Sequence, residues 1–417
     1  MTEGESTMSG NDAGSATART MFDGVRVLEV SAWVMVPGAG VLLSDLGAEV
    51  IKVEHPRTGD PARGLVTGGK SPSVGSVNMM VEQTNRGKRS IGLDMAHSDG
   101  RAILLQLAAE SDVFLTSLLP DVRKKLGIDV DDVRAVNPKI IYAMADAVGG
   151  SGPEAGKPGF DSSVFFGRAG ILNSFSRDDV LAPPRPGFGD KTAAMSLAYG
   201  VAAALFRRER TGEPSVIETS LLASACWVAS SDIIYSQIVG GDFSAVERPA
   251  TNPLANTYRT SDGRWIMLSM LAPDRWWKEF CATVGRDDLV DDPRFADAGA
   301  RAANAAECVA EFTATFASAT QAEWLQRLAG FRGPWEAVRN SFEVGTDQQA
   351  LANGYVTSVD HPAGVEVAAV RAPVHVDGVP HALSTAPDAW QHTEEILLEL
   401  GFDWDRIIEL KTEGVVP

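Results

Sequence analysis

The most constraining feature of the sequence is an alternation of short apolar strands with helices. Residues 25–30 (VRVLEV) and 49–54 (EVIKVE) have strand-like patterns, and residues 37–46 between them have a helical one. A strand, a helix and a second strand in this order form a right-handed unit whose two strands are parallel. Further strands at 113–116 and 140–144, with a helix at 98–111, repeat the pattern. The sequence therefore predicts an α/β fold built on a parallel sheet.

The turn after the first strand contains Gly38 and Gly40, so a dinucleotide-binding fingerprint is the first function to test. In that fingerprint a third glycine follows, and an acidic residue stands roughly 20 residues after the first glycine. Here Leu43 takes the third position, and Glu54 comes about 16 residues after Gly38. The pattern therefore disfavours NAD binding.

Charge and cysteine content exclude several classes of protein. The formal net charge of −18 argues against a nucleic-acid partner and against an anionic membrane surface. The three cysteines, Cys226, Cys281 and Cys308, have no paired spacing, and the six histidines are not at the spacing of metal ligands. No apolar run reaches the roughly 18 residues of a membrane span. We therefore expect a cytoplasmic protein with no metal.

Changes of pattern along the chain predict its domain organisation. Residues 1–20 are small and polar, which indicates a disordered tail. We expect a large α/β domain over 21–225, a linker over 226–253 and a small α+β domain over 254–330, in which a Ser-Asp-Gly turn closes a hairpin. Residues 331–417 are predicted to form a further linker and to return to the large domain.

A second marked stretch runs Gly187-Phe-Gly189-Asp190 and leads into a long helical pattern. Apolar residues recur behind it at spacings of three and four, as in a helix that buries one face. Asp190 is expected to be the N-cap, since its carboxylate can accept the unpaired N–H groups of the first turn. The same carboxylate, held ionised at the positive end of a helix, could be a covalent nucleophile. Spacing alone leaves both interpretations open.

Five segments occur together in an order typical of one family. They are VRVLEVSAWVMVPGAGVLLSDLGAEVIKVEHP at 25–56, NRGKRSIGLDM at 85–95, KPGFD at 157–161, the GFGD-helix-RRERTGE block at 187–213 and QHTEEILLELGF at 391–402. This combination resembles the class III CoA-transferase family (CaiB/BaiF, formyl-CoA transferase-like) over about residues 21–417. The resemblance implies a Rossmann-like large domain, a smaller α+β domain and an interlocked homodimer.

The resemblance also implies a role for Asp190 as the nucleophile. Its carboxylate would attack an acyl-CoA thioester to give a mixed anhydride and then an aspartyl-CoA thioester, from which a carboxylic acid acceptor takes the CoA. Backbone N–H groups near Gly187 and Gly189, or in the Gly240-Gly241 loop, are candidate donors to the oxyanions. Acyl-CoA and a carboxylic acid are thus the expected substrates.

Coenzyme A would bind at positions that match the contacts of the family. These are Val34, Met35, His55, Arg89, Leu93, Met95, Ser117, Leu118, Lys125, Lys157 and Phe160. Arg86 and Lys88 lie in the same basic motif as Arg89 and are further candidate phosphate partners. Several polar positions of the family pattern are apolar here, and the tryptophans Trp33, Trp335 and Trp390 suggest a large apolar substrate.

Two alternatives remain. Racemases of this fold carry a histidine at the position of Phe160, and a side chain without a titratable proton disfavours racemisation. A non-catalytic protein that binds acyl-CoA is the other alternative, and Asp190 would then serve only as a helix cap. Replacement of Asp190 by Asn would keep the cap and remove the nucleophile, which separates this alternative from the transferase.

Overall fold

The computed structural model describes residues 20–64, 73–74, 77–175, 180–241, 250–377 and 383–417. The predicted disordered tail therefore lies outside the described residues, apart from Thr20. The chain divides into two compact units. The larger unit takes the described residues within 1–169, 183–228 and 354–417, and the smaller unit takes those within 170–182 and 229–353.

The secondary structure of the described residues alternates strands and helices. The strands are β1 (Arg26–Val30), β2 (Glu49–Glu54), β3 (Ser73–Val74), β4 (Val77–Asn78), β5 (Arg89–Gly92), β6 (Val113–Thr116), β7 (Ile141–Asp146), β8 (Val216–Ser220), β9 (Thr257–Arg259), β10 (Trp265–Leu268), β11 (Trp335–Ala337), β12 (Val356–His361) and β13 (Val365–Val370). The α-helices are α1 (Met35–Ser44), α2 (Met79–Asn85), α3 (Ser98–Ala109), α4 (Pro120–Leu126), α5 (Val130–Val136), α6 (Ile171–Ser174), α7 (Phe188–Thr211), α8 (Leu221–Val228), α9 (Ser230–Val239), α10 (Pro273–Val284), α11 (Ala298–Ala303), α12 (Ala305–Phe316), α13 (Gln321–Leu328), α14 (Ser341–Gly345), α15 (Gln348–Ala352), α16 (Thr393–Glu399) and α17 (Trp404–Thr412). Short 3₁₀ turns span Pro61–Gly64 and Asp287–Leu289, and a π-helix spans Ser162–Arg168.

Six strands of the larger unit form one parallel sheet in the order β5-β2-β1-β6-β7-β8. The predicted α/β fold with a parallel sheet is therefore confirmed. All four residues of β6 are buried, as expected for a strand covered by helices on both faces. On one of these faces α1 packs against α7, where a Cβ added to Gly38 would lie 3.1 Å from the Cβ of Ala194. Small residues thus let the two helices approach closely.

The last helices of the chain belong to the core of the larger unit. Ile396 and Leu397 of α16 and Ile407 and Leu410 of α17 are buried in the same apolar cluster as Ile91 of β5. The amphipathic pattern near the end of the sequence predicts a helix near 392–400, which is α16, but no pattern predicts α17. These two helices complete the part of the core that lies beside β5.

The smaller unit has its own antiparallel sheet, β11-β10-β9, and its own aromatic core. The predicted hairpin around Asp262 is β9 and β10, and helices α10, α12 and α13 pack their aromatic side chains together. Phe312 lies 5.3 Å from Phe280 and 5.7 Å from Trp277, measured between ring centroids. Aromatic contacts of this kind bury the apolar surface that the smaller unit needs for a core of its own.

Two boundaries differ from the sequence-based expectation. The expected return to the large domain at 331 is displaced, because β11 pairs with β10 and keeps residues up to 353 in the smaller unit. Within the expected linker, 226–253, residues 230–239 form the helix α9. Among the described residues, no helix is both long and apolar enough to cross a membrane.

Candidate active site

The order of strands places a crevice at one point of the sheet. From β1 the chain builds outward through β2 to β5, then returns to β6 beside β1 and builds the other way through β7 to β8. Ligands of open parallel sheets bind where the order reverses, beyond the carboxyl ends of the strands. A cavity of about 420 Å³ lies there in the larger unit. Most of its lining residues lie at or after the ends of β1, β6, β7 and β8 or in the segments that lead to the first turn of α7, and Met80 of α2 adds to them. The lining consists of Ala32, Trp33, Val34, Met35, Met80, Ser117, Leu119, Ala145, Asp146, Ala147, Pro158, Gly159, Phe160, Asp161, Ser162, Pro186, Asp190 and Leu221.

The loop after β1 is held in a strained conformation. Trp33 has a φ of 72°, which is uncommon for a residue with a large side chain. Its N–H donates to Oδ1 of the buried Asp60 at 3.1 Å, and the N–H of Ala32 donates to Oγ of Ser117 at 3.1 Å. These two bonds attach the loop to residues beyond β2 and β6, and so fix one wall of the cavity.

A buried network of charges lies beneath this loop. Lys52 pairs with Asp60 at 2.8 Å and with Glu29 at 3.1 Å, and Lys88 pairs with Glu29 at 2.6 Å. Burial opposes the charge of Lys52, but the carboxylates around it raise its pKa above the usual value. Burial lowers the pKa of Lys88 to about 8, against the attraction of Glu29. The network is close-packed, since a Cβ on Gly40 would lie 2.1 Å from Oε2 of Glu29.

Asp190 lies in the first turn of α7 and lines the cavity. The prediction that it is the N-cap is wrong: Gly187 holds that position, with a φ of 105° that only glycine adopts readily. Asp190 is the third residue of the helix, and its side chain is partly buried. Burial raises the pKa of Asp190 to about 7, the Asp161 carboxylate adds to the increase, and Lys191 opposes it.

Asp161 connects the KPGFD segment to the start of α7. This buried side chain accepts a hydrogen bond from the N–H of Gly187 at 2.6 Å. The π-helix that follows Asp161 places Phe165 against Gly189, where an added Cβ would lie 2.5 Å from the ring. Gly189 therefore serves close packing and Gly187 serves backbone conformation, which explains the two glycines of the motif.

Four of the predicted CoA-binding residues line the cavity: Val34, Met35, Ser117 and Phe160. The remaining seven lie elsewhere. Leu93 is fully buried in the core, and Met95 and Leu118 pack against the same apolar cluster. The side chains of His55, Arg89, Lys125 and Lys157 lie outside the lining of the cavity. The structure thus gathers only part of the predicted set.

The basic residues of the predicted phosphate site are committed to carboxylates of this chain. Arg86 binds Asp45 at 2.6 Å, and Lys88 belongs to the buried network. Arg89 contacts three glutamates at 2.7 to 2.9 Å, and Lys157 pairs with Glu154. Lys125 is exposed on α4. A phosphate would have to displace a carboxylate from most of these cations.

Three of the candidate oxyanion donors are already bonded. The N–H of Gly187 donates to Asp161, while those of Gly240 and Gly241 both donate to the carbonyl of Ser236 at the end of α9. These predictions are therefore corrected. The first turn of α7 retains N–H groups that have no acceptor within the helix, including that of Gly189.

Sequence reasoning missed two carboxylates of the cavity, Asp146 and Asp161. Asp146 ends β7 and accepts from the N–H of Gly149 at 2.6 Å, and burial raises its pKa. In the sequence, Asp161 is only the last residue of the KPGFD segment. Asp146 lies at the end of a strand and Asp161 follows a Gly-containing turn, and these positions were the available signal.

A second group of polar side chains lies away from the cavity. His97, Asp99 and Glu413 bring ligand atoms within 4.8 Å of one another. Two of them already have partners, since His97 accepts the N–H of Asp99 and Asp99 pairs with Arg406. They form the cap of α3 and its contact with α17.

Comparisons with known proteins agree with this geometry. Residues 22–393 match the family described as CoA-transferase family III. The chain is 31% identical to the (R)-2-hydroxy-4-methylpentanoate CoA-transferase of Clostridioides difficile, over 95% of this chain and 99% of the relative. It is also 31% identical to the cinnamoyl-CoA:phenyllactate CoA-transferase of Clostridium sporogenes, over 94% of this chain and 96% of the relative. A crystal structure of a CaiB/BaiF family protein from Brucella suis has a TM-score of 0.79 and 27% identity, and the match covers 92% of this chain and 100% of that one.

The fold, the site and these matches define an enzyme that transfers CoA between carboxylic acids. The chain belongs to CoA-transferase family III. Acyl-CoA and carboxylates are the substrates that membership of this family implies.

Proposed function

We propose that the protein transfers CoA between two carboxylic acids through covalent intermediates on Asp190. The observation that carries this proposal is a partly buried carboxylate at the start of α7, facing an apolar cavity, with a pKa near 7. A desolvated carboxylate is a better nucleophile than a hydrated one, and a pKa near 7 still leaves it ionised under neutral and mildly basic conditions.

The proposed sequence conserves atoms and charge. An oxygen of the ionised Asp190 attacks the thioester carbon, the C–S bond breaks, and a mixed anhydride and CoA thiolate form. The thiolate attacks the Asp190 carbonyl and releases the first carboxylate, which leaves an aspartyl-CoA thioester. The acceptor carboxylate attacks this thioester to form a second anhydride, and the thiolate then attacks the acceptor carbonyl. The products are a new acyl-CoA and free Asp190, without a net proton transfer.

Residues around Asp190 support each step. We place the thioester end of the substrate beside Val34, Met35, Ser117 and Phe160, because these side chains line the cavity with Asp190. The free N–H groups of the first helical turn, including that of Gly189, would stabilise the oxyanions. The nucleotide portion would lie outside the cavity, where His55, Arg89, Leu93, Met95, Leu118, Lys125 and Lys157 remain predicted contacts.

The decisive experiment detects the covalent intermediate. The protein would be incubated with a panel of acyl-CoA esters and quenched with hydroxylamine or borohydride, which trap activated carboxyl groups. Mass spectrometry should find a modified peptide that contains Asp190, and the Asp190→Asn variant should give none. If acyl-CoA bound but left this peptide unmodified across the panel, the alternative of a non-catalytic binding protein would replace the proposal.

We also propose that two copies of the chain assemble as a homodimer. Helix α9 has no buried residue, although it carries Ile234, Ile238 and Val239, which are 60%, 78% and 53% exposed. A second copy of the chain is the occupant that the family resemblance favours for such an apolar face.

A further inference from the structure

The charge of the cavity limits the substrates that it can take. Among the described residues that line it, three are carboxylates, Asp146, Asp161 and Asp190, and none is Lys, Arg or His. The nearby cations Lys52 and Lys88 are fully buried and each pairs with a carboxylate. The described lining therefore offers no positive side chain to receive a second negative charge from a substrate.

Part of the lining of the cavity is aromatic. The rings of Trp33 and Phe160 meet edge to face, with centroids 5.5 Å apart and an angle of 85° between their planes. Both residues line the cavity, and Met35 and Met80 extend the same apolar surface. Aromatic and thioether groups favour flat or branched apolar ligands, which gain contact area without losing a hydrogen bond.

The position of the Trp33 ring is fixed by the fold. Its backbone has a φ of 72° and is held by the bond from its N–H to Asp60, and Asp60 is in turn paired with Lys52. A strained backbone persists where the surroundings determine it, and such strain clusters at ligand sites. The buried charges of Asp60 and Lys52 thus hold the backbone of Trp33 at a positive φ. We find no other structural reason for this φ among the described residues.

We propose that this cavity selects monocarboxylic acids with an apolar, aromatic or branched tail, that it rejects dicarboxylic acids, and that Trp33 is a specificity-determining residue. This inference rests on the proposed function, because it assigns the substrate class of the same site. A second carboxylate in the cavity would lose its hydration next to three carboxylates and gain no cation. An apolar tail of similar size would bury its surface against Trp33 and Phe160.

Transfer assays test the substrate class. The full chain would receive 3-phenylpropanoyl-CoA as donor, with 4-methylpentanoate, succinate or glutarate as acceptor, and the products would be separated by chromatography. We expect kcat/KM for the branched monocarboxylate to exceed that for either dicarboxylate by about a hundredfold. Equal or better use of succinate or glutarate would overturn the inference, while labelling of Asp190 would leave the proposed function intact.

A binding measurement keeps this test separate from the chemistry. Calorimetric titration of the Asp190→Asn variant compares 3-phenylpropanoyl-CoA with succinyl-CoA, neither of which this variant can transfer. The inference requires the aromatic ester to bind at least about tenfold more tightly. Equal affinities would refute it, whether or not the wild-type protein forms a covalent intermediate.

Variants of Trp33 test the residue itself. Trp33→Gly removes the ring and suits the positive φ, so the fold is expected to persist. It should raise KM for 3-phenylpropanoyl-CoA about tenfold and leave KM for acetyl-CoA nearly unchanged. Trp33→Phe should retain most of the preference, and Trp404→Phe, on the exposed side of α17, serves as the matched control. An equal loss toward both esters would show that Trp33 has only a structural role.

A gain of function gives an independent test. Phe160→Arg would introduce a cation beside the three carboxylates, and we expect the ratio of kcat/KM for succinate to that for 4-methylpentanoate to rise about tenfold. An unchanged ratio in a folded variant would contradict the electrostatic part of the inference.

Discussion

The carboxylate of Asp161 accepts the backbone N–H of Gly187 at 2.6 Å, and Gly187 immediately precedes the helix that carries Asp190. One buried acid therefore positions the start of α7 and also places a negative charge near the nucleophile. Positioning and electrostatic tuning are combined in the same side chain, so substitution of Asp161 should separate them.

The pH dependence of transfer should report the ionisation of Asp190. Because the attacking group is the carboxylate, kcat/KM should rise with pH through about 7. Asp161→Asn keeps an oxygen for the N–H of Gly187 and removes the charge, so the midpoint should move down by about one pH unit. Activity measured across pH 5 to 9 checks this, with the exposed Asp291→Asn as control. An unchanged midpoint in Asp161→Asn would show that the two carboxylates do not interact.

The ionised carboxylate of Asp190 should lower the free energy of unfolding above neutral pH. Its pKa rises from 3.8 to about 7 on folding, so the folded state binds the proton more tightly than the unfolded state. Stability then falls as pH rises between these values. Asp190→Asn should raise the free energy of unfolding at pH 8 by up to about 4 kcal/mol and change it little below pH 4. Denaturant titrations at both pH values measure the difference, and a variant less stable than the wild type at pH 8 would contradict the raised pKa of Asp190.

Gly187 should tolerate no side chain. At a φ of 105° an alanine is strained, so Gly187→Ala should lower stability by about 1–2 kcal/mol and reduce kcat by moving the first turn of α7. Gly241→Ala is the control, since a Cβ there would meet no atom within 4 Å. Chemical unfolding and initial rates provide the two readouts, and equal effects of both substitutions would contradict the expectation.

Removal of Asp60 should damage both the network and the cavity. Asp60→Ala leaves Lys52 with one carboxylate fewer and releases the N–H of Trp33, so we expect a loss of about 3–5 kcal/mol. Asp60→Asn retains an acceptor for Trp33 and should cost less. Thermal unfolding distinguishes the two variants. The exposed ion pair of Arg406 with Glu409 offers a contrast, because Glu409→Ala should have little effect.

The homodimer is tested at α9. Ile238→Asp and Ile234→Asp place charges on its exposed apolar face and should shift sedimentation from dimer to monomer. Leu271, which is 86% exposed, supplies the control substitution Leu271→Asp. A wild-type monomer, or a dimer that survives both α9 substitutions, would exclude this face as the interface.

Much of the fold could be predicted because local patterns specify it. The alternating strands and helices indicate the class, and the strands predicted at 49–54 and 113–116 coincide with β2 and β6. The helix α17 and the extent of the smaller unit were missed. Their assignment depends on pairing between distant segments, such as β10 with β11, which no local pattern records.

The site could be predicted only in part, because its contacts also join segments that are distant in the sequence. Asp190 follows a distinctive motif, so its place at a helix start was foreseen, although the cap itself is Gly187. The basic residues Arg86 and Arg89 looked available for phosphate because a sequence does not show which carboxylates will face them. Asp161 became important only once the fold brought it to Gly187, 26 positions away.

The burial of α16 and α17 beside β5 has a consequence for synthesis of the protein. The cavity residues are all made by position 221, yet the apolar cluster that includes Ile91 is completed only by side chains as late as Val416. During synthesis the residues of the cavity therefore emerge from the ribosome before this apolar cluster is complete, and its surface stays exposed until α16 and α17 have also emerged. Chaperone demand should be greatest in that interval, and truncation before α16 should leave the cluster open.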